Sequence, residues 1–100
     1  MIEKFRAKEL SIEFYAQCES ITKRLNLKGE ISSQLMRAAL SISLNLSEGS
    51  ARVSVKERKR FFLISYGSYK ECQTLLEILK QNSMIQSFDI LGAYLYKLSH

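Results

Sequence analysis

Apolar residues recur at three- and four-residue steps along almost the whole chain, the repeat of an amphipathic helix and not of a strand. From Glu3 to Leu27, Ala7, Leu10, Phe14, Cys18, Ile21 and Leu25 form one stripe, with Arg6, Glu9, Glu13, Ser20 and Arg24 opposite. Phe5, Ile12 and Tyr15 sit off that stripe and predict contact with something beyond the neighbouring helix. Gly29 offers the left-handed position that commonly ends a helix, and Lys28 before it complements the helix dipole.

A second helix is expected over Glu30–Glu48. Ile31, Leu35, Ala38, Ala39, Ile42 and Leu46 make one apolar file, and Met36, Leu40 and Leu44 another, so most of its sides are expected to be buried. Through it runs a polar file, Arg37, Ser41, Asn45, Glu48 and Arg52, at steps of four and three. Gly49 is the expected C-cap. Ser54, with Glu57 three residues on, is a capping box that opens a third helix. Its inner face is expected to carry Phe61, Ile64, Ser65, Ser68, Cys72, Leu75, Leu76 and Leu79, with Phe62 and Tyr69 at the edge and Lys56, Lys59, Arg60, Lys70 and Thr74 outside. Gly67 in mid-helix costs about 1 kcal/mol against alanine, tolerable where another backbone passes close by. The last helix is predicted from Ser87 to Leu98, with Phe88, Leu91, Leu95 and Leu98 as its stripe.

The fold class that follows is all-α: an antiparallel, up-and-down four-helix bundle with a short fourth helix, residues 1–100 forming one domain. With no proline and only four glycines, the composition suits long helices better than a turn-rich β fold. The fourth helix spans about 18 Å against roughly 28 to 37 Å for the others. One end of the core is then open unless a second copy covers it, which predicts a homo-oligomer.

A net charge of +5 makes the surface attractive to polyanions, although solubility alone can account for it. No apolar leader and no apolar run of about 18 residues is present, which predicts a cytoplasmic protein without a membrane partner. Cys18 and Cys72 show no CxxC or metal-ligand spacing and read as small buried side chains in a reducing compartment. His100 is the only histidine. Glu-x-x-His pairs, phosphate loops and nucleophile elbows are missing, so neither an enzyme nor a cofactor is expected.

Two constellations remain. Arg37, Ser41, Asn45 and Glu48 either pair with Ser68 and Glu71 of the third helix to set its register, or face a pore or ligand. Arg52, Lys56, Arg58, Lys59 and Arg60, set against Glu57 alone, are either a solvated helix start or a polyanion site that also takes in Lys70. Cations in a first helical turn oppose the dipole, a small cost that favours the second reading. Tyr66, Tyr69 and Phe62 lie nearby and are candidates for base stacking, or for core.

At these residues the chain resembles a known family, the bacterial four-helix bundle proteins also called 23S rRNA-intervening sequence proteins. The resemblance rests on RAALSISLNLSEG (Arg37–Gly49), on Ser54, Lys56, Glu57 and Phe61, and on GSYKECQTLLEIL (Gly67–Leu79). It is similar to a family pattern placed here at Arg37, Ser41, Asn45, Glu48, Gly49, Gly67, Ser68 and Glu71. The resemblance implies a bacterial, non-enzymatic, RNA- or DNA-binding accessory protein, often a homopentameric ring. It also implies kinship with accessory subunits of the reverse transcriptases of diversity-generating retroelements. The alternative is a protein–protein adaptor or structural ring with no nucleic-acid role. Where the family usually has a proline in the second helix, this chain has Ser43, which predicts a straighter helix.

Overall fold

The computed structural model describes residues 2–100. Five helices follow one another: α1 (Ile2–Arg24), α2 (Gly29–Ser50), α3 (Val55–Ile78), α4 (Asn82–Ser87) and α5 (Asp89–Ser99). No strand occurs among the described residues. Each of α1, α2, α3 and α5 runs antiparallel to its sequence neighbour in the packing, and α5 returns against α1.

The chain is thus a five-helix, all-α fold and not the four-helix bundle with a short fourth helix expected above. The break lies at Phe88, whose φ of −111° and ψ of 19° leave the helical region. Its ring is buried, edge-on to Phe14 with centroids 5.1 Å apart, and its carbonyl accepts the Tyr69 hydroxyl at 3.1 Å. Holding both ring and carbonyl inward turns the backbone there. Ser87, the expected N-cap, instead donates to the Ser83 carbonyl inside α4. Because α4 precedes α5 and buries Met84 with Phe88, the last arm runs about 27 Å and the core end expected to be open is covered.

Helix ends differ from expectation in an instructive way. α1 stops before Gly29: Asn26 takes the left-handed conformation (φ 53°), Leu27 N donates to Thr22 O and Asn26 N to Lys23 O. That is a Schellman end built on asparagine. Gly29, also at positive φ, opens α2. Lys80 (φ 59°) ends α3 in the same way, with Gln81 N to Leu76 O and Lys80 N to Glu77 O. Gly49 is no cap but a buried contact, since a Cβ there would lie 2.7 Å from the Phe62 ring. Gly67 is exposed with nothing within 4 Å of a Cβ, so no backbone passes it.

The core is built by Ala7, Leu10, Phe14, Cys18 and Ile21 of α1, Leu35, Ala39, Ile42 and Leu46 of α2, and Phe62, Tyr69, Cys72 and Leu76 of α3. Met84, Phe88, Leu91 and Leu95 complete it. On α3 the buried set is Phe62, Ser65, Tyr69, Cys72 and Leu76, while Ile64 is 41% exposed, so the inner face is turned from the one expected. Ser65 is tolerated inside because its hydroxyl donates to the Ile42 carbonyl at 2.9 Å. Ser11 is likewise buried. It donates to Lys8 O at 2.7 Å and therefore accepts from Ser43 at 2.8 Å, since a hydroxyl has one hydrogen to give.

Candidate nucleic-acid interface

Antiparallel packing gathers four chain ends at one pole of the molecule: the start of α1, the end of α2, the start of α3 and the end of α5. Ser54 caps α3 by accepting from Glu57 N at 3.3 Å, which fixes the direction in which the first α3 turn presents its cations. Lys56 is exposed there and enters no ion pair among the described residues. Lys59, also exposed, donates to the backbone oxygen of His100 at 3.2 Å. Arg52 and Arg60 flank the Phe61 ring, 4.9 and 5.2 Å from its centroid. Arg52 also pairs with Glu48 at 2.8 Å, and Arg60 with Glu57 at 4.0 Å. Arg58 folds back to donate to the Arg52 and Val53 carbonyls at 3.1 and 2.8 Å, so its guanidinium holds the α2–α3 loop.

Sequence reasoning missed three members of this pole. Lys97 of α5 pairs with Glu3 at 3.0 Å, holding the Glu3 carboxyl below the usual carboxylate range. Between them a cleft of about 250 Å³ is lined by Glu3, Val55, Arg58, Lys59, Phe62, Lys97 and Leu98. Lys4 and Lys8 of α1 line a neighbouring cleft with Phe5, Ser47 and Ser50. The signal was in the connectivity: the end of the last antiparallel helix must return to the start of α3.

Lys70 stands apart. Eleven residues along α3 from Lys59, it lies about 16 Å away and donates to Gln73 at 2.8 Å. Beside it, in the groove between α3 and α5, Tyr66, Tyr96 and His100 cluster, whereas Phe62 and Tyr69 are buried and cannot stack on a base.

The polar file divides into three parts. Ser68 donates to Ser41 at 2.8 Å, and Asn45 donates to the Ser41 hydroxyl and carbonyl at 3.0 and 2.9 Å. Arg37 donates to Ser33 within its own helix and shares a shallow cleft of about 200 Å³ with Ser41, Ser68 and the exposed Glu71, without pairing to the glutamate. Glu48 belongs to the basic pole through Arg52.

Cys18 and Cys72 are free and fully buried; hydrogen bonding to Cys18, then burial, pushes the Cys72 thiol up. Among the described residues, no group of three or more His, Cys, Asp or Glu side chains is placed to hold a metal ion, and no helix is long and apolar enough to cross a membrane. Neither a curated protein nor a solved structure matches the chain. Residues 3–96 do match one family model, and the Ser41–Asn45–Ser68 seam and the Glu48–Gly49 pair near the end of α2 fall within that span; the chain belongs to the 23S rRNA-intervening sequence protein family.

Proposed function

We propose that this non-enzymatic protein is an RNA-binding accessory protein and that the basic pole is its binding surface. The observation that carries the reading is the convergence of Arg52, Lys56, Lys59, Arg60 and Lys97 at one end, all five of them exposed. A polynucleotide gains most of its affinity by exchanging counterions for such cations. Arg58 supports the surface from beneath, since removing it frees the loop that carries Arg52. Binding of a labelled RNA followed across a salt series tests this. Affinity is expected to fall steeply with salt, and the Lys56→Glu, Lys59→Glu, Arg60→Glu triple variant to bind weakly with a flatter slope, by roughly 0.7 per lost phosphate contact on a single strand. Absence of binding by the wild type at low salt would remove the proposal.

A second reading is favoured by the apolar exposure on α1 and α2: Phe5 is 67% exposed, Ile12 55%, Leu40 45% and Leu44 55%. Copies of the chain associate through this face, a homopentamer being what the resemblance implies, and the assembly serves as an adaptor for a protein such as a reverse transcriptase. DNA in place of RNA is the remaining variant of the first reading. An adaptor captures its partner equally well after nuclease treatment; an RNA-bridged complex does not.

A further inference from the structure

Along the α3–α5 groove three aromatic rings form a continuous cluster, Tyr66 half-buried against the core and Tyr96 and His100 exposed. Tyr96 is 52% exposed, its ring stacked on His100 at 4.0 Å and 19°, and Tyr66 meets Tyr96 edge-on at 5.7 Å and His100 at 6.1 Å. Burial does not account for the exposed pair, Tyr96 and His100, because the neighbouring Tyr69 already fills the core beneath and closes on the Phe88 carbonyl. Lysines stand at both ends of the cluster. Lys59 lies two turns before Tyr66 on the same side of α3 and touches the His100 backbone; Lys70 lies one turn after it. Gln73 adds a donor beyond Lys70, while Asp89 is the one acid lining the groove. Rings flanked by cations about 16 Å apart match the geometry of an unpaired strand, whose bases offer π-faces and whose phosphates offer charge on either side.

We propose that this groove is a stacking platform for single-stranded RNA, with Tyr66 and Tyr96 taking bases and Lys59 and Lys70 taking the flanking phosphates. It rests on the RNA-binding reading of the basic pole and extends that surface along α3, which places Lys70 in the same path despite its distance. A duplex keeps its ring faces inside the stack and is bound by the pole alone.

The two claims separate in one experiment. A labelled single-stranded RNA and a duplex of equal length are titrated against wild type, Tyr66→Leu/Tyr96→Leu and Tyr66→Phe/Tyr96→Phe, with the salt slope measured for each. The leucine pair is expected to bind the single strand about tenfold or more weakly with an unchanged salt slope, because stacking releases no counterions, and to bind the duplex as wild type does. The phenylalanine pair retains wild-type affinity, which separates stacking from the hydroxyls. The chain has five tyrosines and no tryptophan, so quenching of tyrosine emission by the single strand, halved or more in the phenylalanine pair, reports contact without relying on the leucine variant's fold. Equal binding of the single strand by wild type and leucine pair, or no quenching, overturns the platform and leaves the pole standing. No binding of either RNA by wild type overturns both.

Discussion

The Tyr69 hydroxyl donates across the α3–α5 seam to the carbonyl of Phe88, from a ring only 3% exposed. Burial first, and then the nearby Asp89 carboxylate, push this hydroxyl from its ordinary 10.0 up to about 12. A phenol whose pKa is raised in the folded state favours folding as the neutral form. Its contribution is complete below about pH 10 and is lost as the pH rises through about 12. Denaturant unfolding of wild type should show stability falling across that window, and Tyr69→Phe should flatten the fall. At neutral pH the same substitution is expected to cost about 1 kcal/mol and no more, because the Phe88 carbonyl keeps the Leu91 and Gly92 amides as partners. Lys80 offers the opposite sign. It ends α3 in the left-handed region, which a side chain tolerates poorly, so Lys80→Gly should stabilise by about 0.5–1 kcal/mol once the greater freedom of an unfolded glycine is subtracted.

Within α2 and α3 the glycines separate packing from propensity. A Cβ on Gly49 would meet the Phe62 ring at 2.7 Å and the Phe61 Cβ at 3.1 Å, so Gly49→Ala is expected to destabilise by about 1–3 kcal/mol. Gly67 faces open space in mid-helix, and Gly67→Ala should stabilise by about 0.5–1 kcal/mol in a urea titration. Neither position could be ranked from sequence, where Gly49 resembled a cap and Gly67 a close contact. The elements were legible where local chemistry decided them: the three long apolar periods, and the Ser54–Glu57 spacing that starts α3. They were not legible where tertiary contacts decided. The stretch Phe61–Leu63 is apolar on every side, so its period could not show that Phe62 and not Ile64 turns inward. Ser65 is expected inside, and the Ile42 carbonyl that accepts its hydrogen bond is what makes that burial tolerable. Asn-Ser-Met-Ile-Gln-Ser, the sequence of α4, is too short to show a period, and its break from α5 lies where the ring and carbonyl of Phe88 are held inward. Of the candidate site, the cations around the α2–α3 turn could be read directly because they are contiguous. Lys97, Lys4 and Lys8 join them only through topology.

At the scale of the molecule, the apolar flank meets the basic pole at Phe5, which shares a cleft with Lys4 and Lys8. Ile12, Leu40 and Leu44 lie further along α1 and α2, where association can be tested apart from RNA binding. Phe5 and Ile12 are a heptad apart on α1, and Leu40 and Leu44 one turn apart on α2. The hydrogen bond between Ser11 and Ser43 marks the seam between the two helices, and these four side chains fall along its outer side. Exposing large apolar groups in such a row costs about 25 cal/mol per Å² relative to burying them, so their mutual burial in a second copy is the physical drive for assembly. No open core end drives assembly, since α4 and α5 cover it; the flank must supply the drive by itself. Light scattering is expected to give a molar mass several times 11.5 kDa for wild type. Ile12→Glu/Leu44→Glu should reduce it to the single-chain value with helical circular dichroism unchanged, because both side chains already contact solvent and neither fills the core. If association brings several basic poles to one strand, the same variant should also weaken binding of a long RNA while leaving a short one unaffected, as lost multivalency requires. A wild type that stays at 11.5 kDa across the concentration series would overturn self-association through the flank.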